Sequence, residues 1–504
     1  MNFKLIDIFE RHARYLPRKA ALVGIRTVTY GEMWSTAGEI ARQLADAGLK
    51  SGDCVGVVFS ASTEYVILIV GMMRAGLVVA PINSRLTSTE IQEYITRLSP
   101  RAIITDEEHS IVVSGTNWAY LIAHEEQGDW SIATRSSTRW NQPTEHLVRD
   151  LAFIIGTGGS TGIPKGAMIS NQAAWMWATC SMYAQQMRQS DVEMFGSPFF
   201  HSTVLTGVMT TLAAGATVRV IGHYDVDSVV EAVLRDGGTR LAGAPTMLQR
   251  VLESAQSEPL LWRNVRIVQF GSTKAPPGFV ENVRRSLRHA DLVSGYGSTE
   301  FGPVTRIYTP DFLTELDVGV GRPVPAADII IIDRTSKLAI IESGVEGEIA
   351  ASCPWQMSGY VGADEETSEV TLASGHIRSG DIGLIDENGY LHLRGRYKEI
   401  IITGGENVFP IEVEGVIAEH PAITDVAVYG VTDEIWGERV EAALVLKLGM
   451  KLGLDELRSF CRSKLAGFKI PTSIKTLDYL PLTSNLKVDK RRLSRDSSMT
   501  TSSE

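Results

Sequence analysis

The sequence predicts an α/β fold, mixed α+β in detail, built from helix-flanked sheets and divided into more than one domain. Two observations predict it. At 504 residues the chain exceeds what one hydrophobic core ordinarily supports, and strand and helix patterns alternate from near its start. With 44% hydrophobic and 21% charged residues the composition is that of an ordinary globular protein, able to bury such cores.

The elements follow in order. Thr29 and Glu32 form a capping box. Ala37, Ile40, Ala41, Leu44 and Ala45 then recur at helical spacing, and Gly48 stops the helix. "CVGVVF" (54–59) reads as a buried strand. A helix over 63–75, a strand over 77–82 and a strand "RAIIT" (101–105) continue the alternation. "LAFII" (151–155) is a further strand, running into a glycine-rich loop. No internal repeat is visible, and the polar, low-complexity end, residues 494–504, is expected to be a disordered tail.

Charge and cysteine usage exclude several functions. A net charge of -11 argues against a nucleic-acid partner, whose binding leans on clustered Lys and Arg. The first residues offer neither an uninterrupted apolar run nor a cleavage site, so no signal peptide is expected. The most apolar stretch, 66–82, is broken by Arg74 and Gly76 and is short for a span, so membrane insertion is not expected and a cytoplasmic location is. Cys54, Cys180, Cys353 and Cys461 lack CxxC spacing and neighbouring histidines, suggesting buried small residues rather than zinc or disulfides.

The loop "TGGSTGIPKG" (157–166) fits neither common phosphate motif. Lys165 lies between Pro164 and Gly166, not in the Gly-Lys-Ser/Thr of a Walker A loop, and Thr161 stands where a dinucleotide fingerprint needs glycine. Exposed backbone amides, the hydroxyls of Thr157, Ser160 and Thr161, and one cation nevertheless suit a polyphosphate. Read alone, it could equally be a surface turn.

Four more motifs follow: "SGYGSTEFG" (294–302), "RSGDIG" (378–383), "GRYKEIIITGGENVFPIEVE" (395–414) and "LPLTSNLKVDKRRL" (480–493). Together and in this order they resemble the adenylate-forming superfamily of acyl-CoA synthetases, luciferases and peptide-synthetase adenylation domains. The resemblance covers residues 5–493. It implies a large N-terminal AMP-binding domain over 1–395 and a small mobile C-terminal α+β domain over 396–493. The implied reaction joins a carboxylic acid to AMP with loss of pyrophosphate, then transfers the acyl group to an acceptor.

The resemblance also assigns roles. Thr157, Gly158, Gly159, Ser160, Thr161, Gly162 and Lys165 would cover the β- and γ-phosphates of ATP, and Thr299 would bind the α-phosphate. Glu300 would hold Mg²⁺, a hard ion that prefers oxygen. Tyr296 would stack on adenine beside Ser272, Thr273 and Lys274, with Gly297 and Ser298 in the same turn. Asp381 would take the ribose hydroxyls, aided by Arg396. Lys487 would carry adenylation, its ammonium reaching both the substrate carboxylate and the α-phosphate. His201, Val204, Gly207, Gly295 and Gly302 would line the acyl pocket. Because the segment 197–207 lacks a carboxylate, an acid without an α-amino group is expected.

Coenzyme A is the acceptor the resemblance favours. Gly404 and Gly405 would let pantetheine pass, Trp436 and Phe468 would embrace the nucleotide, Arg85 would meet a phosphate, and Lys398 would be the hinge. Two departures bear on this. Leu486 replaces the glycine that usually precedes the catalytic lysine, and Gly158 replaces a hydroxyl. Ile470 and Thr472 are neutral where many relatives carry cations, which is compatible with a branch that transfers the acyl group to an amine. A non-catalytic nucleotide-binding relative would have lost Glu300, Asp381 or Lys487, and all three are present. The sequence leaves a homodimer open.

Overall fold

The computed structural model describes residues 3–114, 118–126, 128–134, 150–157, 164–196, 198–222, 225–257, 260, 262–271, 275, 278–314, 319–483 and 487–501. The predicted early elements are present. Helix Tyr30–Asp46 starts at the Thr29/Glu32 capping box, with Ala37, Ile40 and Leu44 fully buried. Strand Cys54–Val58, helix Thr63–Arg74 and strands Val78–Pro81 and Ala102–Thr105 follow.

Two large sheets organise the first 325 or so residues. One has seven strands in the order 129–134, 120–126, 102–105, 54–58, 78–81, 151–157 and 165–170. The other has nine, with the parallel strands Ile267–Phe270, Arg240–Gly243, Val192–Phe195 and Thr217–Val220 near its centre. Helices lie between them, and one continuous core joins Leu22 and Val218 of the nine-stranded sheet to Val55 and Phe153 of the seven-stranded one. Helix Thr63–Arg74 is therefore apolar nearly all round, its residues 65–73 all buried. A five-stranded antiparallel sheet, ending in Ile377–Ile385 and Leu391–Arg396, completes this part.

Residues beyond 400 build cores of their own. Ile401, Val413, Val428, Leu444, Leu457 and Ile470 belong to one, and Tyr429, Leu480 and Leu493 to another, with no member from residues before 400. The end of the chain departs from expectation. Helix Lys490–Thr501 occupies most of the stretch expected to be a disordered tail. Leu493 is buried, Ser494 donates to the Gly430 carbonyl at 2.8 Å, and Ser497 lies 3.2 Å from the Tyr429 hydroxyl. Docking on strand Ile423–Asp433 supplies the stability that this polar sequence lacks by itself. All four cysteines are free, and among the described residues no helix is long and apolar enough to cross a membrane.

Candidate active site

The site is assembled around a tight turn. Gly297–Ser298 pairs antiparallel with Gly302–Pro303, which leaves residues 299–301 at the tip. The Ser298 hydroxyl accepts from the Glu300 and Phe301 amides and fixes that tip. Gly302 adopts φ +61°, and its Cα packs against Trp177 and Trp355. At the tip, the Thr299 hydroxyl meets the Ser202 hydroxyl at 2.9 Å. Ser202 opens helix Ser202–Ala213, so the helix that follows His201 is tied to the turn.

Glu300 and the start of strand Lys165–Ser170 are joined through Tyr360. The Tyr360 hydroxyl donates to Glu300 Oε1 at 2.9 Å, and the Lys165 ammonium lies 5.1 Å from the centre of the same ring. Lys165 also pairs with Glu366 at 2.6 Å. A residue expected on phosphate is thus held by a carboxylate here, and would have to exchange that partner for an anion. Tyr360 and Glu366 escaped the sequence reading, because nothing in "SGYVGADEETSE" marks partners 60 and 201 residues away. Glu300 Oε2 has no partner among the described residues, so the carboxylate keeps one oxygen for a hard cation.

Asp381 and Arg396 face each other across an antiparallel pair, and Arg396 Nε donates to Asp381 Oδ1 at 3.0 Å. Gly380, at φ +74°, turns the chain just before Asp381. The Tyr296 hydroxyl donates to Asp381 Oδ2 at 2.6 Å. Burial and the Asp381 charge raise the Tyr296 phenol well above its ordinary range, so it stays a donor. Tyr296 is buried, and its tether to Asp381 links the expected adenine and ribose residues directly.

Lys487 reaches this cleft from the C-terminal cores. It stays open to water on one side, yet crowding and the Arg396 charge pull its ammonium below the ordinary lysine value, against the opposing pull of Asp381, Glu300 and Glu399. Its charge also acts on His201. Thr157, Pro164, Phe200 and His201 line one crevice together with Asn83 and Tyr94, so the end of strand Leu151–Thr157 and the His201 segment face the same space. Glu300, Asp381, Arg396 and His201 therefore each lie within electrostatic reach of Lys487.

Burial, then the Lys487 and Arg85 charges, bring His201 down to about 4 from an ordinary value near 6.5, so its imidazole is neutral at pH 7. The folded protein binds fewer protons at this site than the unfolded chain between those two values, so stability falls as pH drops from 6.5 to 4. His201→Gln should flatten that part of the curve of Tm against pH. Parallel curves for the two proteins would show that His201 is not held neutral.

The remaining expected residues divide. Gly158, Gly159, Ser160, Thr161, Gly162, Ser272, Thr273, Lys274 and Leu486 lie outside the described residues. Val204 is half-buried against the core. The Cα face of Gly207 is filled by the Phe195 ring, so it offers no space to an acyl group. Gly295 adjoins the Arg306 guanidinium. Arg85 sits near His201, close enough for its charge to act there. Trp436 packs over Gly404 and Phe468 is exposed, while Gly405, at φ +85°, faces open space. Lys398 lies exposed in the short turn Tyr397–Glu399.

Comparison with known proteins agrees with this arrangement. The AMP-binding enzyme family matches residues 9–361, and the AMP-binding enzyme C-terminal domain matches residues 412–487. A feruloyl-CoA synthase from Amycolatopsis sp is 30% identical over 490 residues, 96% of this chain and 97% of that protein. Among solved structures, the amide bond synthetase McbA from Marinactinospora thermotolerans is similar with a TM-score of 0.85 at 25% identity, covering 98% of this chain and 99% of that one. ATP-bound MatB from Rhodopseudomonas palustris gives a TM-score of 0.83 at 26% identity, again over 98% and 99%.

Proposed function

This chain belongs to the AMP-binding enzyme family, and from that premise we propose that it is an acid–thiol ligase: it activates a carboxylic acid with MgATP and passes the acyl group to coenzyme A. One observation carries the reading. Glu300, Asp381, Arg396 and His201, drawn from segments far apart in the chain, each lie within electrostatic reach of Lys487, and Arg396 Nε donates to Asp381 Oδ1 at 3.0 Å. A carboxylate is a poor electrophile, so it must first be activated. Its oxygen attacks the α-phosphorus, the bond to the β-phosphate oxygen breaks, and pyrophosphate leaves. Catalysis of such a transfer is mainly positioning and charge neutralisation.

The residues take complementary parts. Thr299 and Ser202 offer hydroxyls to the α-phosphate, and Asp381 accepts from the ribose once Tyr296 or Arg396 yields an oxygen. Lys487 balances the charge shared by carboxylate and phosphate. Mg²⁺, when bound, screens the phosphate oxygens, and the free oxygen of Glu300 is where this chain would hold it. Neutral His201 adds no charge beside the reacting carboxylate. In the second half the thiol sulfur bonds to the acyl carbon, AMP departs and the thiol proton is released to solvent. For that step residues 396–493, with the docked terminal helix, turn about Lys398. Lys487 leaves, and the Gly404–Gly405 turn approaches, where Gly405 leaves room for pantetheine and Trp436 and Phe468 for the nucleotide.

A second acceptor class has its own support. Ile470 is packed in the C-terminal core, Thr472 is spent on the Val440 carbonyl at 3.0 Å, and Lys469 is paired with Glu412 at 2.7 Å. Little positive charge is left there for CoA phosphates, which favours an amine acceptor. The discriminating experiment follows pyrophosphate release over a panel of acids with no acceptor, with CoA and with amines. Thioester formation with CoA is expected, and α-amino acids should be poor donors. Amide without thioester would replace the CoA reading, and no pyrophosphate from any acid would overturn adenylation itself.

A further inference from the structure

Beside Gly295 lies a guanidinium that the adenylation chemistry does not use. Arg306 stands on strand Thr305–Tyr308, on the same face as Tyr308 because side chains two apart share a face. The Tyr308 hydroxyl donates to the Ala184 carbonyl at the end of helix Asn171–Ala184, so that face looks toward the helix. At its other side Arg306 touches the site: a Cβ on Gly295, the residue before Tyr296, would come within 2.6 Å of Arg306 Nη1.

This cation has no counter-ion among the described residues. Among the described residues its one hydrogen bond is from Nη1 to the Thr305 carbonyl beside it, and Nε has no partner. No carboxylate among the described residues lies within ion-pair distance. After burial, the groups that act on it are the Tyr308 phenol, whose own burial keeps it protonated, and another cation, Arg240, whose own neighbours Asp191 and Glu193 lie at 3.9 and 3.6 Å. Burial pushes Arg306 down to about 10, although part of its surface is still reached by solvent. An unpaired buried charge is costly to fold around, and its natural remedy is a bound anion.

We infer that the acid activated here carries a second carboxylate, distal to the reacting one, which pairs with Arg306 at the inner end of the acyl site. The inference rests on the adenylation reading for the position of the reacting carboxylate. Gly295 admits the guanidinium sterically, because a side chain there would collide with Arg306 Nη1. A guanidinium forms charge-assisted hydrogen bonds to a carboxylate, and Nη2 of Arg306 has no partner among the described residues.

The test is a set of matched acids, linear diacids of graded length and the three benzenedicarboxylates, each beside its monomethyl ester, assayed by pyrophosphate release. For at least one pair the wild-type enzyme should prefer the free diacid in kcat/KM by about 30-fold or more, as expected for a charge-assisted pair out of water. Arg306→Met should bring that ratio to one or below, and Arg306→Lys should keep part of it. The ratio does not depend on the fraction of protein that is active, so a poorly folding variant still reports. Turnover of esters and monoacids at or above the diacids in wild type, or a ratio unchanged in Arg306→Met, overturns the inference and leaves adenylation standing. No pyrophosphate from any acid overturns both.

Discussion

Lys487→Ala should lower the rate of acyl-adenylate formation by about 100-fold or more while leaving the reaction of a preformed acyl-adenylate with its acceptor near the wild-type rate. The ammonium is positioned by the C-terminal cores and feels Asp381 and Glu300 on one side and Arg396 on the other. In the first half-reaction negative charge spreads between the carboxylate and the α-phosphate, and a cation aimed at that point is worth several powers of ten. In the second half no phosphate bond to pyrophosphate is broken and the small domain is turned away, so the lysine has nothing to stabilise. Stability should not suffer. An ammonium held below its usual range is disfavoured where it sits, and its removal should leave Tm unchanged or slightly higher. Equal losses in both halves would mean that Lys487 organises the fold or that no rotation separates the steps.

Much of this arrangement was legible before any coordinates, and the reason is locality. The capping box at Thr29, the period of residues 37–45 and the apolar run at 54–58 depend on neighbours a few residues away, so the chain itself displays them. The tip bearing Thr299 and Glu300, and the Asp381 turn, are likewise short-range features with glycine where the backbone needs it. What stayed hidden is long-range pairing. Tyr360 gains its place by bridging Lys165 and Glu300, and Glu366 by neutralising Lys165, neither of which a local pattern records. Arg306 in "GPVTRIYTP" reads as the polar member of an alternating strand, and only the sheet shows that its face is turned inward beneath a helix. The terminal helix misled the reading for the same reason: its stability comes from Tyr429, Gly430 and the rest of a distant strand, while its own residues are those of a solvated coil.

Glu300→Gln should reduce adenylation by on the order of 10³-fold, the equivalent of several kcal/mol of transition-state charge stabilisation, and should raise the Mg²⁺ concentration needed for half-maximal rate. The substitution is close to isosteric, and the amide oxygen can still accept from the Tyr360 hydroxyl, so the turn over residues 299–301 keeps its support. What is lost is the formal charge of the carboxylate whose other oxygen has no partner among the described residues. A neutral amide is a much weaker ligand for a hard divalent ion. The bridge through Tyr360 supplies the control. Tyr360→Phe removes the hydrogen bond to Glu300 Oε1 but leaves the carboxylate charged, and it keeps the ring over which Lys165 rests. It should cost roughly 10-fold to 100-fold in metal affinity, the usual effect of losing an outer partner of a ligand, and excess Mg²⁺ should restore its rate. Excess Mg²⁺ should not restore Glu300→Gln. If a folded Glu300→Gln protein adenylates at the wild-type rate, or if both variants respond alike to added metal, Glu300 does not hold the ion and its buried partnership with Tyr360 is structural.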